Sequence, residues 1–303
     1  MPEPPRNQTL SFVMQRFKDA GIRPQTRFGQ NFLIDLNLVQ VLLTAAELGP
    51  DDVVLEVGTG TGSLTEQMAK SAGAVVTVEV DRQLYRLASE QMHELGNVTM
   101  LLCDVLKSKN RLNPEVLEAV GEQLRAAPGR RLKLVANLPY NVATPIMTNL
   151  LALEDPPHSM TVTIQKELAD RMTAGPGSKD YGALSIWMRS QCQVEIVRIM
   201  PPEVFWPRPK VHSAIIRVTV APALRGRIPD LDFFHTFVRS MFFHRRKFLR
   251  SELLSAFKKR LDKPQVDAIM AERGLAGDAR AEQIDVEGML ALCEAVRARL
   301  GAA

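Results

Sequence analysis

The chain has 303 residues, 46% hydrophobic and 24% charged, which supports a sizeable core and excludes wholesale disorder. Three scattered cysteines, Cys103, Cys192 and Cys293, exclude a disulfide framework or a cysteine-held zinc, and five histidines without HxxxH spacing give no expected metal site. No apolar run approaches the roughly 18 residues of a membrane span and no secretory leader is recognisable, so a cytoplasmic protein is expected.

The net charge is +4, and it is unevenly placed. Residues 1–221 hold 23 basic and 23 acidic side chains, whereas residues 222–303 hold 15 and 11. The tail contains His244-Arg245-Arg246-Lys247-Phe248-Leu249-Arg250 and then Lys258-Lys259-Arg260. Such a stripe attracts a polyanion by counterion release; a solvated helix face is the alternative.

In chain order, an amphipathic stretch near Leu10–Phe17 precedes a helix over Leu36–Leu48, stopped by Gly49-Pro50. Short apolar strands are expected at Val53–Val57, Ala74–Val80, Val98–Cys103, Arg131–Ala136 and Met160–Ile164. Helical periods follow them at Ser63–Ala72, Arg82–Leu95, Glu115–Ala126, Thr144–Leu153 and Lys166–Ala174. This alternation predicts an α/β fold with a parallel sheet. Val194–Met200 and Ser213–Val220 read as an edge pair, antiparallel to each other, around a proline-rich loop. Pro222–Pro229 reads as a linker, and the remainder as helical. Two domains are therefore expected: 1–221, α/β, and 222–303, small and all-α.

The first strand runs into Glu56-Val57-Gly58-Thr59-Gly60-Thr61-Gly62-Ser63 and opens a helix. Glycines at such a turn bring backbone close to a ligand at the carboxyl end of the sheet. Glu79 closes the next strand, where a carboxylate accepts hydrogen bonds from ribose hydroxyls. Asp104 follows the third strand, in reach of an exocyclic adenine amine. The spacing is GxGxG rather than the GxGxxG of dinucleotide sites, which disfavours a dehydrogenase. It is similar to class I S-adenosylmethionine (SAM) methyltransferases. A structural turn is the bland alternative.

After the fourth strand stands Asn137-Leu138-Pro139-Tyr140. Methylating an adenine amine requires holding the NH2 in line with the methyl donor and accepting its hydrogen bonds. The Asn137 side-chain carbonyl and the Leu138 backbone carbonyl are two acceptors, Pro139 fixes the turn, and Tyr140 offers a stacking face. Proximity and orientation then supply much of the acceleration.

With these motifs in order, the chain resembles the bacterial small-subunit ribosomal RNA adenine dimethyltransferase family from about Gln25 to about Leu254. Further matching segments are Phe28-Gly29-Gln30-Asn31-Phe32-Leu33, Gly175–Gly182 and Phe205-Trp206-Pro207-Arg208-Pro209-Lys210-Val211. The resemblance implies a Rossmann-like class I methyltransferase sheet, SAM as cofactor, and N6,N6-dimethylation of two adjacent adenines near the 3′ end of 16S rRNA in a precursor 30S subunit. It implies SAM contacts by Asn31, Leu33, Gly58, Gly60, Glu79, Asp104 and Asn137. Asn137, Leu138, Pro139 and Tyr140 would handle the base, with Phe205 on its other face unless Phe205 is simply a core aromatic. Arg245, Arg246, Lys247 and Arg250 would dock RNA. A monomer is expected, since nothing demands a dimer.

Thr59 stands where many family members carry Pro, Arg208 where many carry another Pro, and Val105–Arg131 is long and charged. A large-subunit rRNA methyltransferase of the antibiotic-resistance type is the enzymatic alternative. A non-catalytic RNA-binding assembly factor is the other.

Overall fold

The computed structural model describes residues 10–25, 28–244 and 246–301. The central sheet has seven strands: β1 (Asp52–Val57), β2 (Ala74–Glu79), β3 (Val98–Leu102), β4 (Arg131–Asn137), β5 (Ser159–Gln165), β6 (Cys192–Met200) and β7 (Ser213–Val220). Their spatial order is β3-β2-β1-β4-β5-β7-β6. β1 to β5 run parallel. β7 lies antiparallel to β5, with Ser213 opposite Gln165 and Ile215 opposite Thr163. The expected edge pair is thus adjacent, and β7 is the member joined to the parallel strands. Every residue of β1 and β2 is buried, as strands covered on both faces must be. Strand order reverses between β1 and β4, so a crevice opens at their carboxyl ends.

The helices are α1 (Leu10–Asp19), α2 (Leu36–Ala46), α3 (Ser63–Ala69), α4 (Arg82–Met92), α5 (Pro114–Arg125), α6 (Ala143–Leu151), α7 (Lys166–Thr173), α8 (Ala183–Arg189), α9 (Pro222–Arg225), α10 (Leu231–Met241), α11 (Leu249–Ala256), α12 (Lys263–Glu272) and α13 (Val286–Gly301). Asp35 caps α2, accepting from the Asn37 and Leu38 amides. The expected linker contains the short α9. The charged segment after β3 folds a hairpin, Leu106–Ser108 with Arg111–Leu112, before α5.

Two compact units divide the chain. The first runs to Ala169 and adds Glu195–Thr219; the second takes Asp170–Val194 and continues from Val220. The second unit thus takes up 170–194, which the sequence pattern placed with the sheet, before it resumes at Val220. In the first unit, Leu42, Val54, Val75, Val135, Ile215 and Phe205 share one buried cluster. A second cluster joins Val13, Phe17 and Ile22 to Leu84 and Leu87. In the second unit α10 buries Phe234, Phe237, Val238 and Met241, and α13 buries Met289, Leu292, Cys293 and Val296. The Tyr181 hydroxyl donates to the Ile284 carbonyl at 2.8 Å. Among the described residues no helix is long and apolar enough to cross a membrane.

Candidate active site

The glycine loop leaves β1 at the point of order reversal. Gly58, Gly60 and Gly62 have φ of 85°, 59° and 83°, a region costly for residues with a Cβ. At Gly60 a Cβ would also sit 3.2 Å from the Phe32 ring. The Gly58 amide donates to the Val78 carbonyl, and the Gly60 amide to Glu79 Oε2, both at 2.9 Å. Glu79 Oε1 accepts from the Asp81 amide at 2.9 Å. Burial raises the Glu79 carboxyl above the usual carboxylate range, against the pull of those amides.

Beneath the loop is a buried chain of polar groups that sequence reasoning missed. Glu56 Oε2 accepts from Thr65 Oγ1 at 2.5 Å and from Thr77 Oγ1 at 2.6 Å. With its proton committed there, Thr77 accepts from the Thr59 hydroxyl at 2.7 Å. Thr59 therefore reaches the strand by a hydroxyl where proline is common in the resembled family. Burial pushes the Glu56 carboxyl up to about 8. The sequence signal was Thr65 and Thr77, two hydroxyls on elements flanking an acid inside an otherwise apolar strand.

The segment before α2 folds over the loop. Phe32–Leu33 pairs antiparallel with Phe205–Trp206. Gln30 Oε1 accepts from the Gln25 amide at 2.7 Å, and the Gln25 and Gln30 side chains both donate to Asp81 Oδ2. Asp81 also caps α4 through the Gln83 amide. From β4, Asn137 Nδ2 donates to the Asn31 carbonyl at 2.7 Å. That bond engages one of the two amide N–H donors and fixes the side chain's orientation, with its carbonyl as the acceptor.

These elements enclose a cavity of about 360 Å3, lined among others by Asn31, Leu33, Gly58, Gly60, Glu79, Asp104, Asn137, Leu138 and Pro139. That size lies within the usual range of about 300–1,000 Å3 for small-ligand sites. Every residue expected at the cofactor is therefore brought to one wall or another. Asp104 uses Oδ1 to hold the Leu106 amide. Cys103 also lines the cavity, with its thiol pushed up to about 11 by burial, so it is protonated at neutral pH.

Other expected residues fall elsewhere. Tyr140 is half-buried, off the cavity wall, and its hydroxyl is 2.5 Å from Ser213 Oγ. Phe205 is a correction: it is 2% exposed, packed in the cluster with Leu42 and Ile215, and presents no face to a base. Its pairing with Leu33 in the short ladder draws it inward. The Arg250 guanidinium forms a bidentate pair with Asp267, at 2.5 and 2.8 Å. Arg246 and Lys247 are exposed, and Arg245 lies outside the described residues. Glu167 stands in the first turn of α7, as a helix-dipole partner. Among the described residues no cluster of three or more metal-ligating side chains occurs.

The strand order, the glycine loop at the switch point and the Glu79 carboxylate at the end of β2 define a Rossmann-like methyltransferase. Its likeness to solved structures agrees. A dimethyladenosine transferase from Plasmodium falciparum superposes with TM-score 0.72 at 20% identity, over 88% of this chain and 97% of that one. The 23S rRNA methyltransferase ErmE gives TM-score 0.61 at 25% identity, over 88% and 99%. A Bacillus cereus protein (strain B4264), ribosomal RNA small subunit methyltransferase A, is 40% identical over 271 residues, 88% of this chain and 89% of the relative. The chain belongs to the ribosomal RNA adenine dimethylase family, which it matches over residues 22–297.

Proposed function

We propose that this enzyme uses SAM to dimethylate N6 of two adjacent adenines near the 3′ end of 16S rRNA, acting as a monomer on a precursor 30S subunit. The observation that carries the reading is the orientation of Asn137. One N–H of its amide is held by the Asn31 carbonyl, which fixes the side chain and leaves its oxygen to accept from an amine in the cavity.

The residues present fit the cofactor. The glycine loop exposes backbone to the cavity in a left-handed conformation, φ 85° at Gly58, that a Cβ would strain. Glu79 is bound by two amides and keeps further lone pairs for ribose hydroxyls. Asp104, Asn31 and Leu33 line the same cavity, where Asp104 would accept from an adenine amine. When bound, SAM supplies an electrophilic methyl group on a sulfonium. Asn137 and the Leu138 carbonyl would accept from the target amine and hold it for that methyl. Tyr140, off the cofactor cavity and with its hydroxyl on Ser213, would offer a ring face to the base outside that cavity. The target base must leave any stack to enter, as in other base-modifying enzymes. Arg246 and Lys247, with Arg245 from the sequence, position the RNA by its phosphates.

The experiment is methyl transfer from labelled SAM to small subunits lacking the modification, with mass spectrometry of the digested rRNA. N6,N6-dimethyladenosine at two adjacent positions is the expected result. A second reading, modification of large-subunit rRNA, is favoured by the likeness to ErmE; transfer to 23S rRNA and none to small subunits would establish it instead.

A further inference from the structure

The loop between α10 and α11 carries a feature that phosphate binding does not explain. Phe243 is 78% exposed, far more than any other large hydrophobic side chain among the described residues. Phe248, five residues on, is also exposed, at 45%. The exposure is not the fraying of a helix end. The Phe243 amide donates to the Ser240 carbonyl, and the Lys247 amide to the His244 carbonyl. His244 is anchored to the buried Glu252 at 3.2 Å. The backbone thus holds Phe243 outward in a built turn.

Its surroundings select the partner. The Phe243 ring meets His244 edge-on at 4.7 Å, and exposed Arg246 and Lys247 follow directly. The Arg280 guanidinium lies 5.7 Å from the Phe248 ring centroid. Two nearby carboxylates are engaged, Glu252 by His244 and Asp267 by Arg250. An apolar protein-docking patch is depleted of charge at its centre, whereas here aromatics alternate with cations. That alternation suits single-stranded nucleic acid, in which bases stack on rings while phosphates meet the cations.

We propose that Phe243 is a stacking platform for an unpaired base of the substrate RNA, with Phe248, backed by Arg280, as a second, weaker face. This rests on the rRNA-modifying reading above and adds an interaction with base rather than phosphate.

The test is binding to small subunits lacking the modification, and to the naked rRNA, across a salt series. Wild type is compared with Phe243→Ala and Phe243→Trp. A stacked base releases no counterions. Phe243→Ala is therefore expected to weaken binding by about 5- to 150-fold, the range for losing one base–aromatic stack. The slope of log affinity against log salt is expected to stay unchanged. Phe243→Trp is expected to restore affinity and to add fluorescence quenched by RNA. SAM affinity on the same preparations reports that each variant is folded. Phe243→Ala binding like wild type at every salt would overturn the stacking role while leaving the function intact. So would a loss seen with subunits and not with naked rRNA, which would assign Phe243 to a ribosomal protein. Absence of wild-type binding to either would overturn the functional reading as well.

Discussion

The Asn137 side-chain amide donates to the Asn31 backbone carbonyl across 2.7 Å and 106 residues of sequence. The carboxyl end of β4 and the segment that covers the glycine loop are therefore fastened to each other. One residue orients its own acceptor and holds the cover.

Asn137→Ala removes both effects. Methyl transfer is expected to fall by about 100-fold or more, the cost of losing an oriented polar group at a reacting centre. Binding to the small subunit is expected to persist, because the basic loop is untouched. Single-turnover transfer and subunit binding, measured on the same preparation, check the pair of outcomes. Normal turnover in the variant would remove Asn137 from the chemistry.

The alternation of strands and helices was legible because each strand of the parallel sheet is a short apolar run between glycine, proline or polar turns. The glycine loop, Glu79, Asp104 and Asn137 were legible because they sit at strand ends, where spacing alone brings them together. α8 was not. Leu184, Ile186, Trp187 and Met188 are all buried, so its seven residues show no polar face and no 3.6-residue period. The placement of Phe205 was also hidden. An aromatic in a proline-stiffened loop reads equally as a base platform or as core, and only its ladder pairing with Leu33 decides for the core. The Asp267 partner of Arg250 comes from a different helix, which no local pattern reveals.

Glu56 makes stability depend on pH. It is 1% exposed, and burial raises its carboxyl from the ordinary 4.5 to about 8 in the folded protein. Between those values the native state holds a proton that the unfolded chain has released. Stability therefore falls as pH rises through that window and levels off above about 8. Glu56→Gln cannot ionise and keeps an acceptor for Thr65 and Thr77. Its melting temperature is expected to decline less than that of wild type between about pH 5 and 9. Glu79, shifted in the same direction, leaves part of the slope in the variant. Superimposable pH profiles would count against a buried, protonated Glu56.

Arg246 and Lys247 are expected to differ from Arg250 in what they do to salt dependence. Charge reversal at Arg246 and Lys247 removes two exposed cations. The salt slope of RNA binding should shrink by about 0.7–0.9 for each phosphate that is no longer neutralised. Arg250 is already neutralised by Asp267, so Arg250→Ala should leave the slope nearly unchanged. Equal effects from both variants would mean that Arg250 exchanges its carboxylate partner for a phosphate on binding.

Lys133 tests whether stability and chemistry separate along a single strand. It is 2% exposed, donates to the Ala46 and Glu47 carbonyls at 3.0 and 2.6 Å, and pairs with Asp52 at 2.9 Å. It thereby satisfies the last carbonyls of α2 and one oxygen of a carboxylate with no exposed surface. Lys133→Met keeps the length of the side chain and removes every one of these bonds. Arg131 remains on Asp52 Oδ1, so the carboxylate is half-compensated rather than stranded. A loss of about 3 kcal/mol is expected, the lower end for breaking a buried pair, read as a lower urea midpoint at unchanged slope. Lys133 and Asn137 stand four residues apart on β4, roughly 13 Å at strand rise. The rate of methyl transfer per folded molecule is therefore expected to stay at the wild-type value. A drop in that rate without a loss of stability would show that the amino end of β4 is coupled to the site at its other end.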